Sequence, residues 1–246
     1  QTKKMSSSRK TGFIQKDKLI PFILVTTLFF MWGIPNNLNG VLIKQFMKSM
    51  ELSLFQAGLI QSAFYMGYFL LALPAAMVMK RFSYKSGIVQ GLFIYAFGCI
   101  LFWPAANIGK YGFFLFSLFM IASGLAFLET GANPFIALLG DHQSSERRLN
   151  FSQAFNPIGS VAGVLLGTIF IFSGIEPGAT EIAAMKLAGE YDVFLRNETM
   201  RVVKPYLFLA VFAMVWALLI LKTKFPEIDE GKGETIRVKE IGRAHV

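Results

Sequence analysis

A single cysteine, Cys99, leaves no partner for an intramolecular disulfide and no thiolate cluster for a metal. Histidine is almost as scarce, with His142 in a polar stretch and His245 at the end of the chain. The Ser123-Gly124 pair inside an apolar run therefore has no base to take a serine proton, which argues against intramembrane serine-protease chemistry. No Gly-rich phosphate loop of Walker type and no metal-ligand spacing occurs, so an ATP-driven pump has no support and neither cofactor nor metal is expected. Acidic residues are few as well, 15 against 24 Lys and Arg.

Apolar residues are abundant. At 54% hydrophobic with 26 Phe, the chain is too apolar to present a water-facing surface, and it reads as a membrane protein. Runs of about 20 apolar residues, the length that spans a bilayer core as a helix, predict six spans at 19–43, 53–79, 87–106, 111–139, 149–172 and 205–221. The expected fold class is all-α and polytopic.

Orientation follows from the cations. With the N-terminus inside, sixteen Lys and Arg fall on inner segments, among them Lys16, Lys18, Lys80, Arg81, Lys85, Arg147 and Arg148. Seven fall outside, including Lys44, Lys48, Lys110 and Arg201. That asymmetry predicts both termini in the cytoplasm. The net charge of +9 is thus a topology signal with attraction to anionic lipid, and nucleic acid is not an expected partner. The first span is too long for a cleavable signal peptide and reads as a permanent anchor.

The ends are expected to contribute little to the fold. QTKK precedes Met5 and reads as upstream sequence or the edge of a fragment. EIGRAHV, residues 240–246, reads as translated sequencing adapter, which predicts a longer natural chain cut near Lys239.

Glu129 is the one acid at membrane depth, with no Lys or Arg at comparable depth. An ionised carboxylate there costs on the order of 3 kcal/mol on insertion scales, so it is expected to face a bundle interior or a wet cavity. Desolvation disfavours the charged form. A group neutral in one conformation and charged in another suits a proton carrier; the alternative is a protonated side chain acting as packing glue.

Amides accompany it. Asn133 lies one turn after Glu129, and Pro134 frees a backbone carbonyl. WGIPNNLNG places Asn36, Asn37 and Asn39 in the first span, Gln61 sits in the second, and NFSQAFNPIGS aligns Gln153, Asn156 and Ser160 on one face of the fifth. Amides bury at lower cost than charges and offer donors and acceptors together, as sugar hydroxyls require. Beside Trp32, Phe64, Tyr65 and Tyr68 they suit a neutral polyol, the alternative again being interhelical glue. Gly159, Gly163 and Gly167 recur every four residues and predict close helix packing. The Asn197-Glu198-Thr199 sequon is expected in an outer loop.

The strings NNLN, FQAGLIQSAFYMGYF, LFWPAA, LETGANPF and RLNFSQAFN, ordered between about Pro21 and Pro226, resemble the N-terminal half of the L-fucose/proton symporter group of the major facilitator superfamily. The resemblance implies a twelve-helix transporter of two six-helix domains, with a midplane sugar site and rocking-bundle alternating access. Residues 19–221 would form the N-domain, between a cytoplasmic segment at 1–18 and the start of an inter-domain linker at 222–239. Glu129 would match the family's proton-linked glutamate, Gln153 and Asn156 cavity residues of the fifth helix, and Asn37 one of the first. One departure stands out: the family reads NNLND, and Gly40 here removes that carboxylate and opens room at the sugar. The loop string MKRFSYKSG keeps Arg81, Lys85 and Gly87 but has Lys80 where an acid is usual.

The expectation is proton-coupled import of L-fucose or a related hexose or deoxyhexose across the bacterial inner membrane, without enzymatic activity. Glu129 would be the proton site, and Asn37, Gln61, Asn133, Gln153 and Asn156 the sugar-binding residues. The proton, the sugar and the lipid bilayer are the expected partners. A hexose facilitator, a sodium-coupled glucose/galactose carrier and, from a different class, a channel are the alternatives.

Overall fold

The computed structural model describes residues 13–226. The basic residues before position 13, the linker segment 227–239 and the EIGRAHV string lie outside the described residues.

Six helical runs are long and apolar enough to cross a membrane: Lys16–Ser49, Leu54–Arg81, Tyr84–Ile108, Tyr111–Leu138, His142–Ile171 and Tyr191–Lys222. The first is α1 (Leu19–Ser49) and the second α2 (Leu54–Arg81). The third is split into α3 (Tyr84–Ile100) and α4 (Phe102–Ile108), and the fourth is α5 (Tyr111–Leu138). The fifth comprises α6 (Ser145–Gln153) and α7 (Phe155–Leu166), continued by a π-helical turn at Gly167–Ile171. Between it and α10 (Val203–Lys222) come α8 (Ala179–Ala188) and α9 (Tyr191–Met200).

All six expected spans are found, with differences at their edges. α1 runs six residues past the apolar run, its last turns held by Gln45 and Lys48, which meet Glu198 of α9. The 173–204 connection holds two helices where the sequence predicted a loop, and the sequon lies on α9 with Glu198 and Thr199 buried.

Local signals set the ends. Ser53 caps α2 reciprocally with Gln56: its hydroxyl accepts from the Gln56 N–H, and the Gln56 side chain accepts from the Ser53 N–H. Lys80 and Arg81 occupy the last turn, where cations meet the negative end of the helix dipole. Ser83 accepts from the Ser86 N–H to start α3. Gly109, at φ 68°, closes α4 in the left-handed conformation that a glycine adopts without strain.

The bundle centres on α5, which packs between α2 and α3, while α1 packs on α7 and α10 on α3. Glycine permits the closest approach. A Cβ at Gly159 would meet the backbone of Phe30, one at Gly163 that of Ile34, and one at Gly33 that of Asn156, so α1 and α7 touch main chain to main chain. This is the close packing that the four-residue glycine spacing predicts.

Charged side chains lock the helix ends. Arg148, 0% exposed, donates to the carbonyls of Ile136, Ala137 and Asp141 at 3.2, 2.8 and 3.0 Å, satisfying the orphan end of α5. Lys85 donates to the carbonyls of Leu221 and Thr223 at 2.9 and 2.8 Å at the end of α10. Arg201 takes those of Ile171 and Phe172, both at 2.7 Å, past the π turn. At the α8/α9 end, Glu198 is buried and pairs with Lys48 at 2.9 Å, and Ser173 and Gln45 donate to the same carboxylate.

Burial is uneven. The first, third and fourth spans are mostly enclosed, whereas the second and fifth present most of their surface outward.

Candidate functional site

Glu129 sits on α5 in the run where Leu128 is fully buried and Glu129 itself is exposed. It opens into a recess of about 380 Å³ lined by Asn36, Gln61, Phe64, Tyr65, Tyr68 and Glu129. The expected cavity for this acid is therefore present. α2 supplies the opposite wall because Gln61, Phe64, Tyr65 and Tyr68 recur at spacings of three and four on one helical face. Asn36 enters from α1, one residue after Pro35.

Gln61 is held from behind. Its Oε1 accepts from Asn39 Nδ2 at 2.9 Å, and Asn39 is 1% exposed. Among the described residues, no ion pair involves Glu129.

A second polar group adjoins the recess along α5. Asn133 Nδ2 donates to the Glu129 carbonyl at 3.1 Å, and Gln153 Nε2 on α6 donates to Asn133 Oδ1 at 3.2 Å. Asn156 lies half-buried on α7 with its amide 3.5 Å from the Phe29 carbonyl. Glu129, Asn133 and Gln153 thus form a continuous line from α5 to α6.

Asn37 stands apart. It is exposed, its amide folds back on the Gly33 carbonyl at 3.4 Å, and it is not among the recess-lining residues. Its neighbour Asn36, also exposed, is the one on the recess wall, a one-residue difference that rotates a side chain by about 100° around a helix. Trp32 also departs from the sequence reading: it is buried and packs on Phe29 with ring centroids 4.4 Å apart, as part of the core. Gly40 is exposed, and a Cβ there would meet nothing within 4 Å.

The recess mixes three kinds of polar group: amides that both donate and accept, phenols that do the same, and one carboxylate. No group of three or more His, Cys, Asp or Glu stands close enough to hold a metal ion among the described residues.

Six apolar spans, three of which (α1, α2 and α5) line a polar recess, define a polytopic helical membrane domain. A family model described as Major Facilitator Superfamily matches residues 22–241, and the chain belongs to that superfamily. It is 42% identical over 229 residues to the L-fucose-proton symporter of Escherichia coli, a match covering 93% of this chain and 52% of that protein. It is 38% identical over 216 residues to a glucose/galactose transporter of Brucella abortus, covering 88% of this chain and 49% of that one. A crystal structure of the E. coli fucose:proton symporter is similar with a TM-score of 0.73 at 43% identity, over 87% of this chain and 51% of that chain. Another, of a superfamily transporter in the outward conformation, gives 0.75 at 42% identity over 89% and 53%. The chain spans about half the length of the curated relatives it matches. The relatives named here are transporters.

Proposed function

We propose that this chain forms the six-helix N-domain, residues 19–221, of a twelve-helix secondary active sugar transporter that imports L-fucose or a related hexose with a proton. Residues from 222 onward would begin the linker, and the assembly would lie in the bacterial inner membrane with both termini cytoplasmic. The carrying observation is Glu129, the one carboxylate on a recess otherwise made of amides and aromatic rings. A neutral polyol finds donors and acceptors there, and Glu129 supplies the group whose charge changes.

The steps follow from the walls. Glu129 takes up a proton from the outside, and the sugar binds to Asn36 and Gln61 on the recess wall with the tyrosines beside them, and to Asn133, Gln153 and Asn156 adjoining it, Asn36 standing in for the Asn37 that the sequence suggested. Reorientation then exposes the site inward, where proton and sugar leave. Coupling requires that the loaded and empty forms reorient more readily than the singly loaded ones.

Sodium-coupled or facilitated glucose/galactose transport is the second reading. Its sugar is favoured by the relatives named glucose/galactose transporter, and its different coupling by Gly40, which stands on the first span with nothing within 4 Å of a Cβ where the resembled family has a carboxylate. Labelled uptake by the protein expressed from its full reading frame, with and without an acid-outside gradient or sodium, separates the two. Accumulation against a gradient by a Glu129→Gln variant would sink the proton assignment.

A further inference from the structure

We infer that Lys44 binds the carboxylate of an acidic sugar at the recess, so that hexuronates are substrates beside the neutral sugars. This rests on the transport reading and widens the substrate class of that same site.

Beyond Ile23, the exposed residues of α1 are Asn36, Asn37, Gly40, Lys44 and Met47. At about 100° per residue these five fall within about 100° of one another around the helix. They form one open stripe on a rod that is otherwise packed. Asn36, at the start of the stripe, lines the recess. Lys44 therefore opens on the same side, about 12 Å further along the axis at 1.5 Å per residue.

A cation near a helix end commonly serves the helix dipole or an ion pair. Lys48 does both: it occupies the last turn of α1 and pairs with Glu198 at 2.9 Å. Lys44 stands a turn further in, and among the described residues it makes no ion pair and no hydrogen bond.

Gly40 gives Lys44 its reach. A long helical side chain leans toward the N-terminus of its own helix, over the residue four positions earlier. For Lys44 that residue is Gly40, that direction is toward Asn36, and a Cβ at Gly40 would meet nothing within 4 Å. The stem can lie along the stripe with its ammonium beside the amides.

One ammonium matches one carboxylate. The recess itself is lined by no Lys or Arg, so a phosphate dianion would bring a second charge with nothing to meet it. In the proposed cycle Glu129 carries its proton when the sugar binds, which leaves no negative charge on the wall against the ligand. Amides and phenols take the hydroxyls, and Lys44 takes the carboxylate at the outward end.

The test uses the protein expressed from its full reading frame, unsubstituted and as Lys44→Met and Lys44→Arg. Uptake of labelled L-fucose, galactose, glucose, D-galacturonate and D-glucuronate is measured, with binding of each read from ligand-induced shifts in melting temperature in detergent. Lys44→Met is expected to weaken uronate binding about tenfold, the equivalent of one charge-assisted hydrogen bond, and to leave neutral sugars within about twofold. Lys44→Arg is expected to retain uronate binding, and added salt to weaken it for the unsubstituted protein alone among neutral and acidic ligands of equal shape. Failure of both uronates to bind, equal uronate binding by Lys44→Met, or uptake of neutral sugars without either uronate would overturn the inference. Absence of saturable uptake of all five sugars by the unsubstituted protein would overturn the transport reading, and the role of Lys44 with it.

Discussion

Gln153 on α6 donates to Asn133 on α5 across 3.2 Å, and Asn133 passes the connection to the Glu129 carbonyl one turn away. The fourth and fifth spans are thereby joined beside the one carboxylate of the recess.

Replacing Gln153 by Ala removes that bridge at an exposed position. Apparent sugar affinity is expected to fall by about tenfold, with little loss of stability, since no buried group is left unpaired. Uptake kinetics and a thermal melt in detergent check the two halves of this prediction.

Glu129→Gln keeps the shape of the side chain and removes its titration. Sugar exchange down a gradient is expected to persist while accumulation driven by an acid exterior disappears. Comparing counterflow with gradient-driven uptake distinguishes lost coupling from lost binding.

Gly163→Leu places a branched side chain where even a Cβ meets the Ile34 backbone. Neither main chain can yield by a rotamer change, so a loss of about 3 kcal/mol or more is expected. The same substitution at Gly40, which has nothing around it, is expected to leave the melting temperature nearly unchanged.

Arg148→Met leaves the carbonyls of Ile136, Ala137 and Asp141 without this donor. A loss of about 2–4 kcal/mol is expected, below the simple sum for three charge-assisted hydrogen bonds because burying the guanidinium carries its own desolvation cost. Arg147→Met, at the exposed neighbour, is the control and is expected to shift the melt little.

Glu198→Ala removes the carboxylate that Lys48, Gln45 and Ser173 share, at an expected cost of about 1–3 kcal/mol, since Lys48 keeps Ser173 and the Ile175 carbonyl as partners. The double change Lys48→Met with Glu198→Leu is expected to recover much of it, because the desolvation cost of both charges goes too. Thermal melts of the three proteins decide the matter.

The spans were legible because each needs only a run of apolar residues, and Glu129 was legible because a solitary acid in such a run has no bland explanation in composition. The breaks at Leu101 and Ala154 were not, since hydropathy does not change where a helix bends. Glu198 read as an ordinary loop acid, because its burial depends on Gln45 and Lys48, about 150 positions earlier in the chain. Arg147 and Arg148 read alike as inner-face cations. Only the position of the α5 terminus separates the exposed one from the buried one. For the same reason Asn36 and Asn37 were indistinguishable in a string of amides: the wall of the recess is set by helix rotation, which the period of so uniformly apolar a helix leaves open.

The main-chain contact between α1 and α7 limits how the two helices can move against each other. Phe30 and Ile34 rest directly on Gly159 and Gly163, with no side chains between the two backbones to act as a bearing. The two helices can tilt together, but sliding one along the other would drive a peptide group into a peptide group. Asn36 and Asn156, carried on these two rods, therefore keep a fixed spacing along them through any tilt of the pair.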